Sequence, residues 1–278
     1  MSRILRTLIL VLVLSGIPAS GIAAASPSAP LVIGETFTID SKILGETRRI
    51  NVYPPPGYDK SPALRVPVLY MPDGGMAEDF LHVAGLIEVL VGDNTMRPFL
   101  LVGIENTERR RDMTGPTENP EDKKIAPHVG GSAAFRKFVR EELKPEVKRR
   151  YRTTEETAVV GESLAGLFVV ETLFKDPTLF DTYLAFDPSL WWNNAALVKN
   201  AEKELQAKPD LKKTLYFASS DEKGIIENTE KLAEILTKSA PVGLHWHYEK
   251  MPEEQHSTIY HPAALRAFRA DLAPPEKK

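Results

Sequence analysis

The sequence contains no cysteine. Disulfide staples and lipoprotein attachment through a thiol are therefore excluded, and a sizeable hydrophobic core has to hold the fold. Positive charge is not in excess either: 35 Lys and Arg face 38 Asp and Glu, for a net charge of −3. That balance offers no basic stripe for nucleic acid. Beyond the N-terminus there is no apolar run near the roughly 20 residues that span a bilayer. Internal repeats and low-complexity domain boundaries are also missing.

What is present begins with a targeting pattern. Arg3 and Arg6 precede an apolar run, Leu8 to Leu14, and Gly16, Pro18 and Gly21-Ile22-Ala23-Ala24-Ala25 follow. A basic start, a short apolar stretch and small residues at the end predict a secretory signal peptide over 1–25, cleaved after Ala25. The expected location is periplasmic or secreted, with no stable membrane insertion after cleavage. The remaining 253 residues carry a net charge of about −5, since Arg3 and Arg6 leave with the signal. Residues 26–35 read as a flexible exit and 36–278 as one α/β domain.

Within that domain, "GETFTIDSKIL" and "TRRINVYPPPGY" alternate apolar and polar residues and predict an antiparallel hairpin, with "LGE" as the turn. "VPVLYMPDGG" (66–75), "RPFLLVGIE" (97–105), "TAVVGES", "DTYLAFDPS" (181–189) and "KTLYFASSDE" (213–222) are near-continuous apolar runs. Strands buried on both faces of a parallel sheet have that pattern. Phe80, Val83, Ala84, Ile87 and Leu90 recur at helical spacing, as do Phe135, Phe138, Val139, Leu143 and Val147. Pro145 should kink or restart the second of these helices. "NTEKLAEILTKS" reads as an amphipathic helix capped by Asn228, "GLHWHYEKM" as a last strand and "PAALRAFRADL" as a last helix. An antiparallel start followed by alternating strands and helices predicts a mostly parallel sheet covered on both faces.

The chemistry gathers around "VVGESLAGLF", residues 159–168. A strand that turns into a helix within about one residue needs small neighbours two positions either side, which Gly161 and Ala165 provide, and exposes Ser163 as a nucleophile. The helix N-terminus and the Leu164 backbone N–H would favour a developing oxyanion. Serine needs a base. Of the six histidines, His82 falls in a predicted helix and His128 in a polar loop, while His245 and His247 flank Trp246 on one strand and His261 opens the last helix. His256, between the last strand and the last helix, occupies the place of the base in the order Ser, acid, His. For the acid we rank Glu222 first, Asp221 second and Asp187, which ends the preceding strand, third. The second oxyanion donor is expected in the loop after "VPVLYMPDGG", at Gly75, or at Gly74 or Met76.

Taken together, "ILGETRRINVYPPPGY", "VPVLYMPDGG", "VGIENTERRRDMTGPT", "GESLAGLF", "DPSLWWNN" and "EEQHSTIYHPA" resemble, in order, segments of an esterase family of α/β hydrolases. It comprises enterochelin-type siderophore esterases, esterase D-like and feruloyl-esterase-like proteins, and the resemblance runs from about residue 36 to 270. It implies the α/β-hydrolase fold and Ser163 and His256 as nucleophile and base, and it also favours Glu222 as acid. The nearest subgroup resembles periplasmic siderophore hydrolases. Glu162 stands where the family most often has His, and Asp187 where it commonly has Ser.

The activity so implied is ester hydrolysis through an acyl-enzyme, on a siderophore ester such as an enterobactin-like trilactone. A feruloyl or acetyl carbohydrate ester, or a general carboxylic ester, is the alternative. An acyl transferase or a catalytically silent exported binding module would be readings of other kinds. Trp191 and Trp192 are candidates for an aromatic substrate pocket and Arg109 for attracting an anionic substrate, while Arg111 and Asp112 read as a loop brace. No metal-ligand spacing demands a metal, and the mechanism needs no organic cofactor.

Overall fold

The computed structural model describes residues 28–275; the signal peptide and cleavage site expected over 1–25 lie outside the described residues. Ser28–Val32 carry no regular element. Among the described residues, all regular structure belongs to the unit Ile33–Lys278. Its strands are β1 (Glu35–Ser41), β2 (Glu46–Tyr53), β3 (Val66–Pro72), β4 (Leu100–Ile104), β5 (Thr153–Glu162), β6 (Thr182–Phe186), β7 (Lys213–Ser219) and β8 (Leu244–Lys250). The helices are α1 (Phe80–Gly92), α2 (Arg109–Met113), α3 (Ser132–Phe138), α4 (Lys144–Arg150), α5 (Leu164–Lys175), α6 (Trp192–Gln206), α7 (Lys223–Ser239) and α8 (Tyr260–Asp271).

The strands form one eight-stranded sheet in the order β1-β2-β4-β3-β5-β6-β7-β8. β1 pairs antiparallel with β2, and β2 antiparallel with β4. Every other pairing is parallel, from β4–β3 through to β7–β8. This is the α/β-hydrolase arrangement, with the antiparallel hairpin at one edge. Its turn is Lys42–Gly45, one step earlier than the expected "LGE", and Gly45 takes the left-handed conformation (φ 70°) that lets the chain reverse there.

The central strands read as unbroken apolar runs because both faces are covered. Along β3, Val68 and Tyr70 point into the core packed by α3, α5, α6 and α7. Leu69 and Met71 point into the core packed by α1 and α8. That alternation is the two-residue period of a strand serving two layers. The helix restarts at Pro145 as expected: Pro145 stands in the first turn of α4, which follows a π turn, Val139–Leu143, after α3. In the first turn of a helix proline is tolerated, because an N–H there has no intrahelical partner. α7 starts five residues before Asn228, which sits inside the helix and donates through Nδ2 to the Gly224 carbonyl. Asn228 is therefore no cap. Among the described residues no helix is long and apolar enough to cross a membrane.

The parallel sheet brings the C-terminal ends of β3, β5, β6, β7 and β8 to one edge. In open α/β sheets that is where ligands bind. Every residue of the candidate site is carried by the segments leaving those strands.

Candidate active site

The β5–α5 join is as tight as its sequence demands. Ser163 sits at φ 59°, ψ −119°, a strained conformation for a residue with a side chain. It persists because the surroundings hold it: Ser163 N–H donates to the Phe186 carbonyl at 3.0 Å, and the Ser163 carbonyl accepts from Leu167 and Ser189. A Cβ on Gly161 would lie 2.7–2.8 Å from Ala165 atoms, so only glycine lets strand and helix approach this closely.

His256, in the loop between β8 and α8, places Nε2 3.1 Å from Ser163 Oγ. Its other nitrogen, Nδ1, lies 3.0 Å from Asp187 Oδ2. The serine hydroxyl can thus donate to Nε2 while Nδ1–H donates to the carboxylate. Asp187 has no exposed side-chain surface, and its backbone is left-handed (φ 40°). Oδ1 accepts from Ser220 N–H and Oδ2 from the Ser220 hydroxyl, each at 2.6 Å. The hydrogen bond to Asp187 raises the His256 pKa; burial opposes it, and the charges of Glu162, Asp187 and Glu222 add to the rise.

The carboxylate on the imidazole is therefore Asp187, the third-ranked candidate, in place of Glu222 or Asp221. Glu222 and Asp221 lie one strand further along, where the chain leaves β7 to enter α7. Neither hydrogen-bonds to His256. Glu222 lines the pocket outside Ser163, and Asp221 ties its backbone N–H to the Glu254 carbonyl. Ser220 was not singled out from the sequence, and nothing in "FASSDE" marks it as the residue that holds Asp187.

The loop after β3 is braced at Asp73, Gly74 and Gly75. Asp73, nearly buried and left-handed (φ 57°), receives Arg109 in a two-point pair, with Nε–Oδ1 at 2.7 Å and Nη2–Oδ2 at 2.8 Å. The Gly74 carbonyl accepts from Asn51, and Gly74 N–H donates to the Ile104 carbonyl. Gly75 N–H is occupied by Glu78 Oε2 at 2.7 Å. Of the three expected oxyanion donors, only Met76 N–H lacks an acceptor among the described residues. Among the expected oxyanion donors, Gly75 N–H is thus already engaged, while Leu164 N–H and Met76 N–H have no acceptor among the described residues. Arg109 is engaged with Asp73, and its Nη2 also lies 3.5 Å from the Glu162 carbonyl, so it braces this loop and does not line the pocket.

The pocket at Ser163 encloses about 240 Å³ and is lined by Ser189, Trp191, Glu222, Gly224, Ile225 and His256. The two tryptophans part company. Trp191 is partly exposed at the pocket wall, whereas Trp192 is buried and donates its indole N–H to the Gly115 carbonyl at 2.8 Å. Trp192 pins the 115 loop and does not contact the pocket. Ser189 Oγ, 3.5 Å from Ser163 Oγ, is a second residue the sequence reading passed over. Arg111 and Asp112 do brace a loop, together with Glu46 and the fully buried Arg48.

The family model described as "Putative esterase" matches residues 41–276. The ferri-bacillibactin esterase BesA of Bacillus subtilis is 29% identical over 243 residues, covering 80% of this chain and 81% of that protein. An IroE-like serine hydrolase from Shewanella oneidensis superposes with a TM-score of 0.77 at 30% identity, over 85% of this chain and 79% of its own. The siderophore hydrolase EstA from Aspergillus nidulans shares the fold, with a TM-score of 0.75 at 22% identity over 88% and 97% of the two chains. On the strength of a family match over nearly all of its described length, this chain belongs to the esterase family.

Proposed function

We propose that the chain is an exported serine carboxylic-ester hydrolase in which Ser163 is the nucleophile, His256 the general base and acid, and Asp187 the residue that orients the imidazole. The observation that carries this reading is the continuous path Ser163 Oγ–His256 Nε2 at 3.1 Å and His256 Nδ1–Asp187 Oδ2 at 3.0 Å, opening into a pocket at the sheet edge. His256 takes the Ser163 proton as Oγ attacks the ester carbonyl carbon. The oxyanion so formed is assigned to the Leu164 and Met76 N–H groups, which carry no other acceptor among the described residues. Collapse of this intermediate breaks the C–O bond, and Nε2–H gives its proton to the departing alcohol. Water then enters the same cycle, attacks the acyl-enzyme and releases the acid.

A siderophore ester is the substrate that the similarity to BesA favours. The pocket, at about 240 Å³, is smaller than the roughly 300–1,000 Å³ of sites that engulf a drug-sized ligand. It suits the part of a larger lactone around one ester bond, with Trp191 against an aryl group and the remainder outside. Export rests on the N-terminal pattern of Arg3, Arg6 and Leu8–Leu14. The test compares ring opening of catecholate trilactones, iron-free and ferric, with hydrolysis of feruloyl sugar, acetyl sugar and p-nitrophenyl esters, by parent and Ser163→Ala. Trilactone turnover that exceeds the sugar esters and disappears in the variant supports the proposal. Preference for the sugar esters would replace the substrate, and activity surviving in the variant would remove the mechanism.

A further inference from the structure

Glu162 is the last residue of β5 and directly precedes the nucleophile. Its Oε1 lies 3.3 Å from His256 Nε2, the same nitrogen that faces Ser163 Oγ at 3.1 Å. That oxygen is buried, and it makes no other polar contact among the described residues. The imidazole is therefore flanked by two carboxylates, Asp187 on Nδ1 and Glu162 on Nε2. Only the first fits the arrangement that readies serine for attack.

Resting on the serine-hydrolase reading above, we infer that Glu162 is a positioning residue that competes with Ser163 for His256 Nε2 and delays generation of the free base to higher pH. An imidazole nitrogen has one in-plane site. When Nε2 is unprotonated, its lone pair accepts the Ser163 hydroxyl and the base is ready. When Nε2 carries a proton, its single N–H can point to Ser163 Oγ or to Glu162 Oε1, and the charge-assisted bond to the carboxylate is the stronger. A proton transferred from Nε2 to Glu162 leaves a neutral acid that can donate back to the same lone pair. Both arrangements hold one proton between the two residues, and both occupy Nε2. Catalysis begins once that shared proton is lost.

The surrounding charges agree. Burial pushes the Glu162 carboxyl up to about 8, against the pull of His256 and of Arg109 on α2, while Asp187 after β6 and Asp73 after β3 push it further up. His256 is raised as well, by the hydrogen bond to Asp187 against burial and then by the charges of Glu162, Asp187 and Glu222 before α7. From α8, Tyr260 packs nearby as a neutral phenol, its own pKa driven far up by burial and by Asp79, Asp73 and Glu162. The two upward shifts at Glu162 and His256 belong to one coupled titration. Two unit charges 3.3 Å apart move a pKa by about one unit under water-like screening, and by more where solvent is partly excluded.

The test is the pH dependence of kcat/KM on a neutral p-nitrophenyl ester for the parent and Glu162→Gln, with Ser163 labelling by a fluorophosphonate as a separate readout. The acid limb of the variant is expected to lie about one pH unit or more below that of the parent. A variant that still turns over with the same midpoint as the parent overturns the inference, as does a midpoint that moves up. If the variant folds poorly, the parent decides: NMR titration of ¹⁵N-labelled imidazole and ¹³C-labelled Glu side chains should show Glu162 and His256 responding in the same two steps. Independent single titrations of the two residues refute the coupling. Loss of fluorophosphonate labelling in the parent would instead count against the serine-hydrolase reading itself.

Discussion

Replacing Asp187 by Asn tests the assignment of the orienting acid with little change of shape. Asp187 is fully buried, and its two oxygens have fixed partners. Oδ1 receives the Ser220 backbone N–H at 2.6 Å, and a backbone N–H can only donate. An asparagine must therefore keep its carbonyl oxygen at that position, which puts the NH₂ where Oδ2 now lies. There it would present N–H to His256 Nδ1 at about the 3.0 Å now spanned by the carboxylate bond. The imidazole is then forced into the tautomer with Nδ1 as acceptor and Nε2 protonated, which cannot take a proton from Ser163. A wrong tautomer of this kind costs three to four powers of ten in kcat, about 4–5.5 kcal/mol of barrier. The assay is hydrolysis of p-nitrophenyl acetate by parent, Asp187→Asn, Glu222→Gln and Asp221→Asn, each checked for folding by circular dichroism. Asp187→Asn should fall by about 10³–10⁴ while the other two stay within about tenfold. A steep loss in Glu222→Gln with Asp187→Asn near parent would refute the reasoning.

Three further outcomes follow from the scaffold. Arg48 is completely buried on β2 and binds Asp112 Oδ2 at 2.5 Å, with Asp112 itself only 1% exposed. Arg48→Ala leaves that carboxylate with Arg111 alone and should lower stability by roughly 3 kcal/mol, a fall in Tm of roughly 6–12 °C by calorimetry. Burial opposes ionisation of Glu46, but hydrogen bonds from Arg111, Thr107 and Arg48 more than offset it and bring its pKa from 4.5 to about 2. Its contribution to stability is thus fully present above pH 4.5 and is lost as pH falls toward 2, so Glu46→Gln should flatten the acid side of the stability curve measured by urea unfolding. A Cβ on Gly74 would sit 2.2 Å from Gly103 Cα, so Gly74→Ala must displace the loop that presents Met76 N–H. Its kcat should drop by about 10² or more, the loss expected for a missing oxyanion donor.

Much of this architecture was legible in the sequence because it rests on local periodicity. Continuous apolar runs marked β3 to β7, alternation marked the hairpin, and "VVGESLAGLF" between a buried strand and an apolar helix located Ser163. His256 followed from chain order. The carboxylate that meets His256 did not, for a physical reason. Asp187, Asp221 and Glu222 all follow strands that end at the same sheet edge, and sequence gives no measure of where each carboxylate points. Asp187 is held by Ser220, a contact that exists only when β6 and β7 lie side by side. The expected second oxyanion donor was ambiguous in the same way: Gly75 was the natural choice for close approach, until Glu78, three residues on, captured its N–H. Trp191 and Trp192 are neighbours of identical chemistry, yet one lines the pocket and the other is spent on the Gly115 carbonyl.

The central claim, that Ser163 is a nucleophile activated by His256, is tested most directly by mass spectrometry of the protein treated with a fluorophosphonate. The account predicts one covalent adduct per chain, on the peptide that contains Ser163, absent from Ser163→Ala and formed far more slowly by His256→Ala. An adduct on a different residue, or undiminished ester hydrolysis by Ser163→Ala, would contradict it.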